Sequence, residues 1–346
     1  MNDRNDPTAE AKSILMRLRS VPNLPIIVMV VVIFVVSAIF ASGSLSGGSL
    51  RTMLPLAAVL ALAGVGQSLV IQQRGMDLSG AGVIALTAVI LSQQTQGLVP
   101  ALLLSLIIAI LVGLINGSLV RFGLISIVMT LATYQVLTGV VYEWSNGVAG
   151  SVPASLSAFV NRSVLGIPVS VLIVGVVVGL GTIVLRLTSV GRRFVESGIN
   201  RTASISRGSR ADFHAVVAYV TCSVCYWLAG VLLAGYLSSP SLNVGNEYLL
   251  ASIAVVVLGG NSFGSAKISL VATALGALFL TQLTQFTLSL GAPKSSQLFV
   301  QGAGIVALPL IQYLLSLVRQ RRARTSRSTP AESQHIDLRV KEGASL

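Results

Sequence analysis

Apolar runs of about twenty residues recur along the whole chain, and they restrict its possible folds more than any other feature. A helix needs about 20 mostly apolar residues to cross a hydrocarbon layer about 30 Å thick. Of the 346 residues, 53% are hydrophobic and only 10% are charged, which is too few charges to cover a soluble domain. The sequence therefore predicts an all-α, polytopic membrane protein.

Ten segments are candidate spans in such a helical bundle. The clearest are residues 24–41, 53–71, 98–120, 165–187 and 214–237. The weaker or interrupted ones are residues 80–96, 124–141, 249–259, 268–290 and 298–318. We therefore expect about ten transmembrane helices in a domain at 24–318. A polar cytoplasmic segment at 1–23 would precede this domain, and a basic, disordered tail at 319–346 would follow it.

The distribution of basic residues predicts the orientation of the chain. When ten spans are threaded from a cytoplasmic N-terminus, only Arg51, Arg162 and Lys294 of the 23 Lys and Arg residues lie outside. An excess of Lys and Arg is typical of cytoplasmic loops. We therefore expect both termini and the loop at 188–213 in the cytoplasm, and the loop at 144–164 on the outer face. The net charge of +12 then reflects membrane orientation and not a nucleic-acid partner.

A faint internal repeat relates the two halves of the chain. RGMDLSGAGVIALTAVI, from Arg74, aligns with VGNEYLLASIAVVVLGG, from Val244, and this alignment pairs Asp77 with Glu247. The stretch LAGV also occurs twice, from Leu62 and from Leu228. In the threading, the helices that lead into the two copies run in opposite directions. This arrangement predicts an inverted repeat, in which two halves meet near the membrane midplane.

No recognisable catalytic or metal-binding motif occurs in the sequence. Neither of the two histidines belongs to an H-E-x-x-H motif, and there is no G-x-S-x-G motif. The stretch GGNSFGSAK fails as a phosphate loop because Lys does not follow its second glycine, Gly264. Cys222 and Cys225 lie inside an apolar segment, where packing is their expected role. We expect no catalytic residue, no metal, no cofactor and no enzyme activity.

Ionisable groups inside the spans would mark an ion-coupled carrier. The acids nearest to the spans are Asp77, Glu143, Asp212 and Glu247, and all four lie at predicted helix boundaries. A carboxylate at the middle of the membrane costs about 3 kcal/mol on insertion scales. A carrier that used one would place it within a span, so the sequence disfavours this class.

Uncharged polar side chains within the spans are candidates for a solute pathway. They could bind a hydroxyl-rich molecule weakly, or they could form hydrogen bonds between helices, worth about 0.6 to 2 kcal/mol each. Gln282 and Gln285 are three positions apart and share one helix face. The pathway candidates are Asn116, Thr133, Gln282 and Gln285.

Several ordered motifs resemble one family of membrane proteins. GMDLSGAGVIAL resembles the G-G-x-D-L-S-x-G-x-x-x-A-L segment of permease subunits in bacterial ABC importers for ribose and related sugars. NGSLV, SIVMTLATYQVLTGVVY and EYLLASIAVVVLGGNSFGSAK resemble three later segments of that family, so the likeness runs from about residue 50 to 318. Gln73 and Arg74 replace family glycine. The residues to which the likeness gives a structural or gating role are Gly75, Asp77, Ser79, Glu247, Gly259 and Gly260.

The loop at 188–213 resembles the segment that forms a short coupling helix against the ATPase subunit in that family. The residues expected to couple to the ATPase are Arg192, Arg193, Gly198, Asn200, Ala203 and Gly208. The loop departs from the family pattern at four positions, which bear on the choice of ATPase. These are Ile199 for a glycine, Ser204 for an alanine, Arg207 for a serine and Ser209 for an isoleucine.

Two interpretations of Asp77 are open from the sequence. Asp77 could accept backbone N–H groups as the N-cap of the next helix, with Gly75 at the turn and Arg74 as its charged partner. Alternatively, Asp77 and its repeat mate Glu247 could move during gating.

The resemblance implies a permease subunit that imports a monosaccharide or polyol across the bacterial inner membrane by alternating access. Its implied partners are ATP-binding cassette subunits that bind the ATP, a periplasmic solute-binding protein and a second permease copy, identical or closely related. All of them would act at the lipid membrane, with no nucleic acid involved. The alternatives are a branched-chain amino-acid permease of the same superfamily, an ion-coupled secondary carrier and a passive channel.

Overall fold

The computed structural model describes residues 23–94, 96–266, 268–304, 306 and 310. The predicted polar segment up to residue 22, the predicted tail at 319–346 and most of the last candidate span lie outside the described residues. The described chain up to Gln301 forms one compact unit.

This unit is built from α-helices joined by short loops. The helices are α1 (Leu24–Phe40), α2 (Gly47–Gln72), α3 (Gly80–Ser92), α4 (Leu98–Arg121), α5 (Ser126–Ser145), α6 (Ala154–Val160), α7 (Val169–Leu187), α8 (Ser189–Ile199), α9 (Arg201–Ser206), α10 (Ala211–Leu237), α11 (Asn246–Leu258) and α12 (Leu270–Ser289). Residues 294–301 are also helical. Within the described residues, the only strands form a small antiparallel hairpin of β1 (Ser163–Val164) and β2 (Ile167–Pro168).

Five of the described helices are long and apolar enough to cross a membrane: α2, α4, α7, α10 and α12. Three more, α1, α3 and α11, are apolar but shorter. Large apolar side chains of α4 and α7, including Leu103, Ile107, Val176 and Leu180, are exposed on the outside of the bundle, where lipid would cover them. The predicted all-α, polytopic fold is confirmed.

Two segments differ from the predicted span boundaries. The candidate span at 80–96 is helical only as far as Ser92, and the chain then turns through Gly97, whose φ of +100° glycine adopts readily. The predicted outer loop at 144–164 contains the helix α6. The side chain of Asn161, just after α6, donates to the carbonyl of Gly235 near the end of α10 (3.2 Å), which ties this loop to the bundle.

The core of the bundle is the antiparallel pair of α2 and α10. Near one end of the pair, Tyr236 Oη donates to the carbonyl of Thr52 (3.2 Å). Farther along, Gly66 lies against Cys222 and Cys225, both buried and free. A small residue at this crossing lets the two helix backbones approach closely, as in other membrane helix pairs.

The inverted repeat is visible in the lengths and directions of the helices. Helices α3 and α11 are each 13 residues long, and the helices that precede them, α2 and α10, run antiparallel. The bounds of α3 and α11 coincide in the register that pairs Leu62 with Leu228, the starts of the two LAGV stretches. This register is therefore the structural one, and the predicted pairing of Asp77 with Glu247 is wrong. In the structural register, Asp77 corresponds to Asn243.

Helices α3 and α11 meet inside the bundle at their N-termini. At about 20 Å, each is too short to cross the hydrocarbon layer by itself. A Cβ atom on Gly245 would overlap the carbonyl oxygen of Ala81, so the two helix starts touch backbone to backbone. From this meeting point α3 runs toward the end of the bundle that carries α6, and α11 runs toward the end that carries α8. Each repeat thus contains one full span followed by an unwound segment and a half-span.

Candidate functional site

The unwound segment at 73–79 leaves the end of α2 and folds back into the bundle. Gly75 packs against the side chain of Tyr219, leaving no room for a Cβ atom. Tyr226, near the middle of α10, donates from its hydroxyl to the carbonyl of Asp77 (3.2 Å). This segment therefore brings polar backbone to the depth of the middle of α10.

Side chains from neighbouring helices satisfy this non-helical backbone, as is necessary at membrane depth. The N–H group of Leu78 donates to Thr130 Oγ1 (3.0 Å), and that of Met76 donates to Ser126 Oγ (3.2 Å). The amide of Gln67 is best oriented with its nitrogen toward Tyr226 Oη (2.8 Å) and the Asp77 carbonyl (3.1 Å). The segment is thereby held by α2, α5 and α10 at once.

A chain of buried hydrogen bonds starts at the carboxylate of Asp77. Asp77 Oδ1 accepts from the backbone N–H (2.9 Å) and the hydroxyl (2.6 Å) of Ser79. Asn116 Nδ2 donates to Ser79 Oγ (3.0 Å), and Thr133 Oγ1 donates to Asn116 Oδ1 (2.7 Å). We call Asp77, Ser79, Asn116 and Thr133 the buried network. It links the start of α3 to α4 and α5, and it contains two of the predicted pathway residues.

The predicted partnership of Asp77 with Arg74 is wrong. Helix α3 begins at Gly80 with Ser79 at its N-cap, so Asp77 binds Ser79 and not the N–H groups of the helix. Arg74 adopts φ +64°, in the left-handed region, and its side chain points to α8 instead. Asp77 is buried between the helices and is only 1% exposed. Its position in sequence at a helix boundary gave no sign of this depth.

Glu247 does not join the buried network. It lies at the start of α11, 74% exposed, and forms an ion pair with Lys294 (3.1 Å). The gating partnership with Asp77 that the sequence left open therefore has no contact to support it.

One of the two predicted pathway glutamines occupies a helix interface. Gln282 is fully buried, and its Nε2 donates to Ser37 Oγ of α1 (2.9 Å). This position favours the alternative role of a hydrogen bond between helices. Gln285, on the same face of α12, is half-buried.

A row of polar side chains on α5 was not among the predicted pathway residues. Tyr134, Thr138 and Tyr142 follow one another at every fourth position and share one face of the helix. Tyr134 Oη donates to Asn246 Oδ1 (3.0 Å), and Asn243 Nδ2 donates to Tyr142 Oη (3.0 Å). We call these five residues the α5 strip. For Asn243, the available signal was the repeat in the register of the LAGV stretches, because this register pairs Asn243 with Asp77.

The predicted coupling loop folds into α8 and α9. The Thr188 side chain caps α8 by accepting from the N–H group of Gly191 (3.0 Å). Phe194 and Gly198 face the bundle and are buried, whereas Arg192 and Arg193 are exposed. Helix α8 is therefore amphipathic and presents two cations to the surroundings.

The other predicted coupling residues shape α9. Asn200 caps this helix by accepting from the N–H group of Ala203 (3.0 Å). Gly208, with φ +78°, ends the turn that follows it. These positions explain Asn200, Ala203 and Gly208 as structural residues of the loop.

The Gly259–Gly260 pair lies at the end of α11. Gly259 packs against the backbone of Ala272 in α12, and Gly260 adopts φ +76°. The side chain of the next residue, Asn261, donates to the Ser269 carbonyl (3.0 Å) and accepts from the Ser269 N–H (2.8 Å). This motif therefore has a structural role, because it ends α11 and lets the chain pack closely against α12.

Replacing Asn116 by Ala is expected to destabilise the bundle by about 1–3 kcal/mol, because Ser79 and Thr133 each lose a buried partner. Reactivity of the buried native cysteines toward a thiol-specific dye during heating would measure this loss. The control is Thr281→Val, since the Thr281 hydroxyl donates only within its own helix, to Ala277 (2.9 Å). Equal melting of the two variants would contradict a stabilising role for the network.

A polytopic bundle with two half-spans meeting in its interior, and a short amphipathic helix at one end, has the architecture of a membrane transport subunit. Residues 49–309 match the model of the family described as the permease component of branched-chain amino acid transport systems. The chain belongs to this family.

Curated relatives are similar along most of the chain. The ribose import permease protein RbsC of Escherichia coli K12 is 30% identical over 296 residues, covering 83% of this chain and 92% of the relative. The D-allose transport system permease protein AlsC of the same strain is 29% identical, covering 82% and 90%. The autoinducer 2 import system permease protein LsrC of Shigella flexneri is 28% identical, covering 85% and 88%. No solved structure matches the chain.

Proposed function

We propose that the chain is the transmembrane subunit of an ATP-driven importer that moves a monosaccharide or polyol across the inner membrane by alternating access. The observation that carries this proposal is the similarity, over more than four fifths of the chain, to permeases named for ribose, allose and autoinducer 2 import.

The chemistry of the bundle supports a sugar over a branched-chain amino acid. A branched-chain amino acid is a zwitterion. A site that binds it would offer a positive group to its carboxylate and a negative group to its ammonium. Among the described residues, no Lys or Arg is buried and Asp77 is the only buried acid. The remaining buried polar groups are mostly hydroxyls and amides, which suit the hydroxyls of a sugar and bind weakly enough for release.

The α5 strip supports a pathway along this face of the subunit. Tyr142 is 45% exposed and Asn243 is also exposed. These two side chains bond to each other, but their remaining hydrogen-bonding capacity would be costly to leave facing lipid. Water in a pathway would satisfy it. A second copy of the chain or a close relative, facing the same strip, would complete the walls.

The energy would come from partner subunits that bind and hydrolyse ATP. Arg192 and Arg193, exposed on α8, would contact the ATPase. A solute-binding protein would deliver its cargo at the opposite end, where α6 lies. In this orientation both termini are cytoplasmic, and the permease needs no cofactor of its own.

The test is uptake by proteoliposomes that contain the complex purified from its native membrane. We expect ATP-dependent uptake of radiolabelled ribose or allose and none of leucine. Uptake of leucine alone would favour the amino-acid alternative. Uptake that an uncoupler abolishes and that ATP depletion leaves unchanged would favour an ion-coupled carrier.

Removing the hydroxyls of the α5 strip is expected to slow transport while leaving assembly intact. Tyr134→Phe and Tyr142→Phe each delete one neutral hydrogen bond, worth about 0.5–1.5 kcal/mol, so uptake should fall roughly 2-fold to 10-fold. Tyr236→Phe is the matched control, because Tyr236 donates to Thr52 outside the strip. Uptake that falls as much in the control as in the strip variants would contradict the assignment.

A further inference from the structure

Three consecutive side chains at the end of α2 bind the C-terminal half of α8. Gln73 Nε2 donates to the carbonyl of Phe194 (2.7 Å), and Gln72 Nε2 donates to those of Val195 (3.2 Å) and Ser265 (3.0 Å). Ser197 Oγ of α8 donates in return to Gln73 Oε1 (3.2 Å).

Arg74 completes this set by binding the last two residues of α8. Its Nε donates to the carbonyl of Gly198 (2.8 Å), and one terminal nitrogen donates to that of Ile199 (2.5 Å). Carbonyls of the last helical turn have no partner within the helix, and they carry its negative dipole end. Asn200, which follows, is extended (φ −146°) and so does not form the left-handed cap that often closes a helix. The guanidinium takes the place of that cap.

Arg74 adopts φ +64° as the left-handed residue of the motif that ends α2, in which its N–H donates to the carbonyl of Ile71 (3.0 Å). Glycine is the usual residue at this position, so ending α2 does not require the Arg74 side chain. A Cβ atom on Gly198 would overlap the carbonyl oxygen of Gln72. The chain therefore holds α8 against the end of α2 by close backbone contact and by the side chain of Arg74.

The same segment reaches the interior within a few residues. From Arg74 the chain passes Gly75, which is packed on Tyr219, to Asp77 and the buried network. It then enters α3, whose start touches Gly245 at the start of α11. A displacement of α8 would thus pull on the unwound segment at the point where the two half-spans meet.

We propose that Gln72, Gln73 and Arg74 form a clamp through which α8 moves the unwound segment at 73–79, with Arg74 as a positioning residue that couples ATP hydrolysis to opening of the pathway. This inference rests on the proposed function. The fork of the guanidinium binds two carbonyls at once, which a lysine ammonium, a single compact charge, does less well.

The test uses the whole complex, with an environment-sensitive fluorescent label on Glu143→Cys at the exposed end of α5. Both native cysteines of this chain are buried, so the purified chain is labelled at the introduced thiol before the complex is assembled. When the labelled complex carries no other substitution, trapping it with ATP and vanadate should change the emission of the label. Arg74→Gly, which suits the left-handed backbone, should keep ATPase binding and hydrolysis within about twofold. Arg74→Gly should also reduce the emission change at least fivefold. The emission change should be intermediate in Arg74→Lys, and it should be unaffected by Arg51→Ala, at an exposed position.

A full emission change in Arg74→Gly would overturn the clamp while leaving the proposed function intact. A complex without bound ATPase, or without any ATP-dependent emission change before Arg74 is altered, would overturn the proposed function and the clamp with it.

Discussion

Gly245→Ala is expected to abolish transport and to lower the melting temperature of the protein by roughly 5 °C or more. Its new Cβ atom would overlap the carbonyl oxygen of Ala81, where α3 and α11 start against each other. Both partners are backbone, so neither can move aside by changing a rotamer. Overpacking of this kind costs about 1–3 kcal/mol or more, and each kcal/mol lowers the melting temperature by about 2–4 °C in domains of 150–250 residues.

The measurement is thermal exposure of Cys222 and Cys225 to a thiol-specific dye in detergent, together with ATP-dependent uptake. Gly139→Ala is the matched control, because it makes the same change in α5 with no atom within 4 Å of the new Cβ. A Gly245→Ala protein that melts and transports as the control does would show that the two half-spans do not need their close contact.

Gly198→Ala is expected to uncouple the protein from its ATPase. Its Cβ atom would overlap the carbonyl oxygen of Gln72, so α8 would have to move away from the end of α2. This movement would lengthen the hydrogen bonds from Gln73 and Arg74, and we expect ATP-dependent uptake to fall at least tenfold. Because α8 lies at the edge of the bundle, the melting temperature should change less than in Gly245→Ala.

The control for Gly198→Ala is Gly179→Ala in α7, where the new Cβ atom would meet nothing within 4 Å. Uptake assays on matched amounts of reconstituted complex would separate the two variants. Normal uptake by Gly198→Ala would show that coupling does not require the close packing of α8 against the end of α2.

Hydropathy located the long spans well because the thickness of the hydrocarbon layer sets the length of an apolar helix. It could not identify α3 and α11 as half-spans. A short apolar run does not reveal whether the segment before it crosses to the other side or turns back into the bundle. The turn at 73–79 depends on distant partners, namely Tyr219 and Tyr226 of α10.

The candidate site could be predicted less completely than the long spans, because its contacts also join residues that are far apart in the sequence. Asn116 and Thr133 could be chosen as polar residues within spans, and they do meet. Gln282 looked equally suitable, yet its partner on α1 gives it an interhelical bond. Arg74 looked like a partner for nearby Asp77 by sequence distance, but its left-handed backbone directs it to α8.

The contact between α8 and an ATPase is tested most directly by purifying the tagged protein from its native membrane and identifying the proteins that accompany it. We expect an ATP-binding subunit with the wild type, its loss from the double variant Arg192→Glu, Arg193→Glu, and its retention by Arg51→Glu at the opposite end of α2. Absence of any ATP-binding subunit from the wild type, under conditions that keep a known importer assembled, would contradict the assignment of α8 as the contact of an ATP-driven permease.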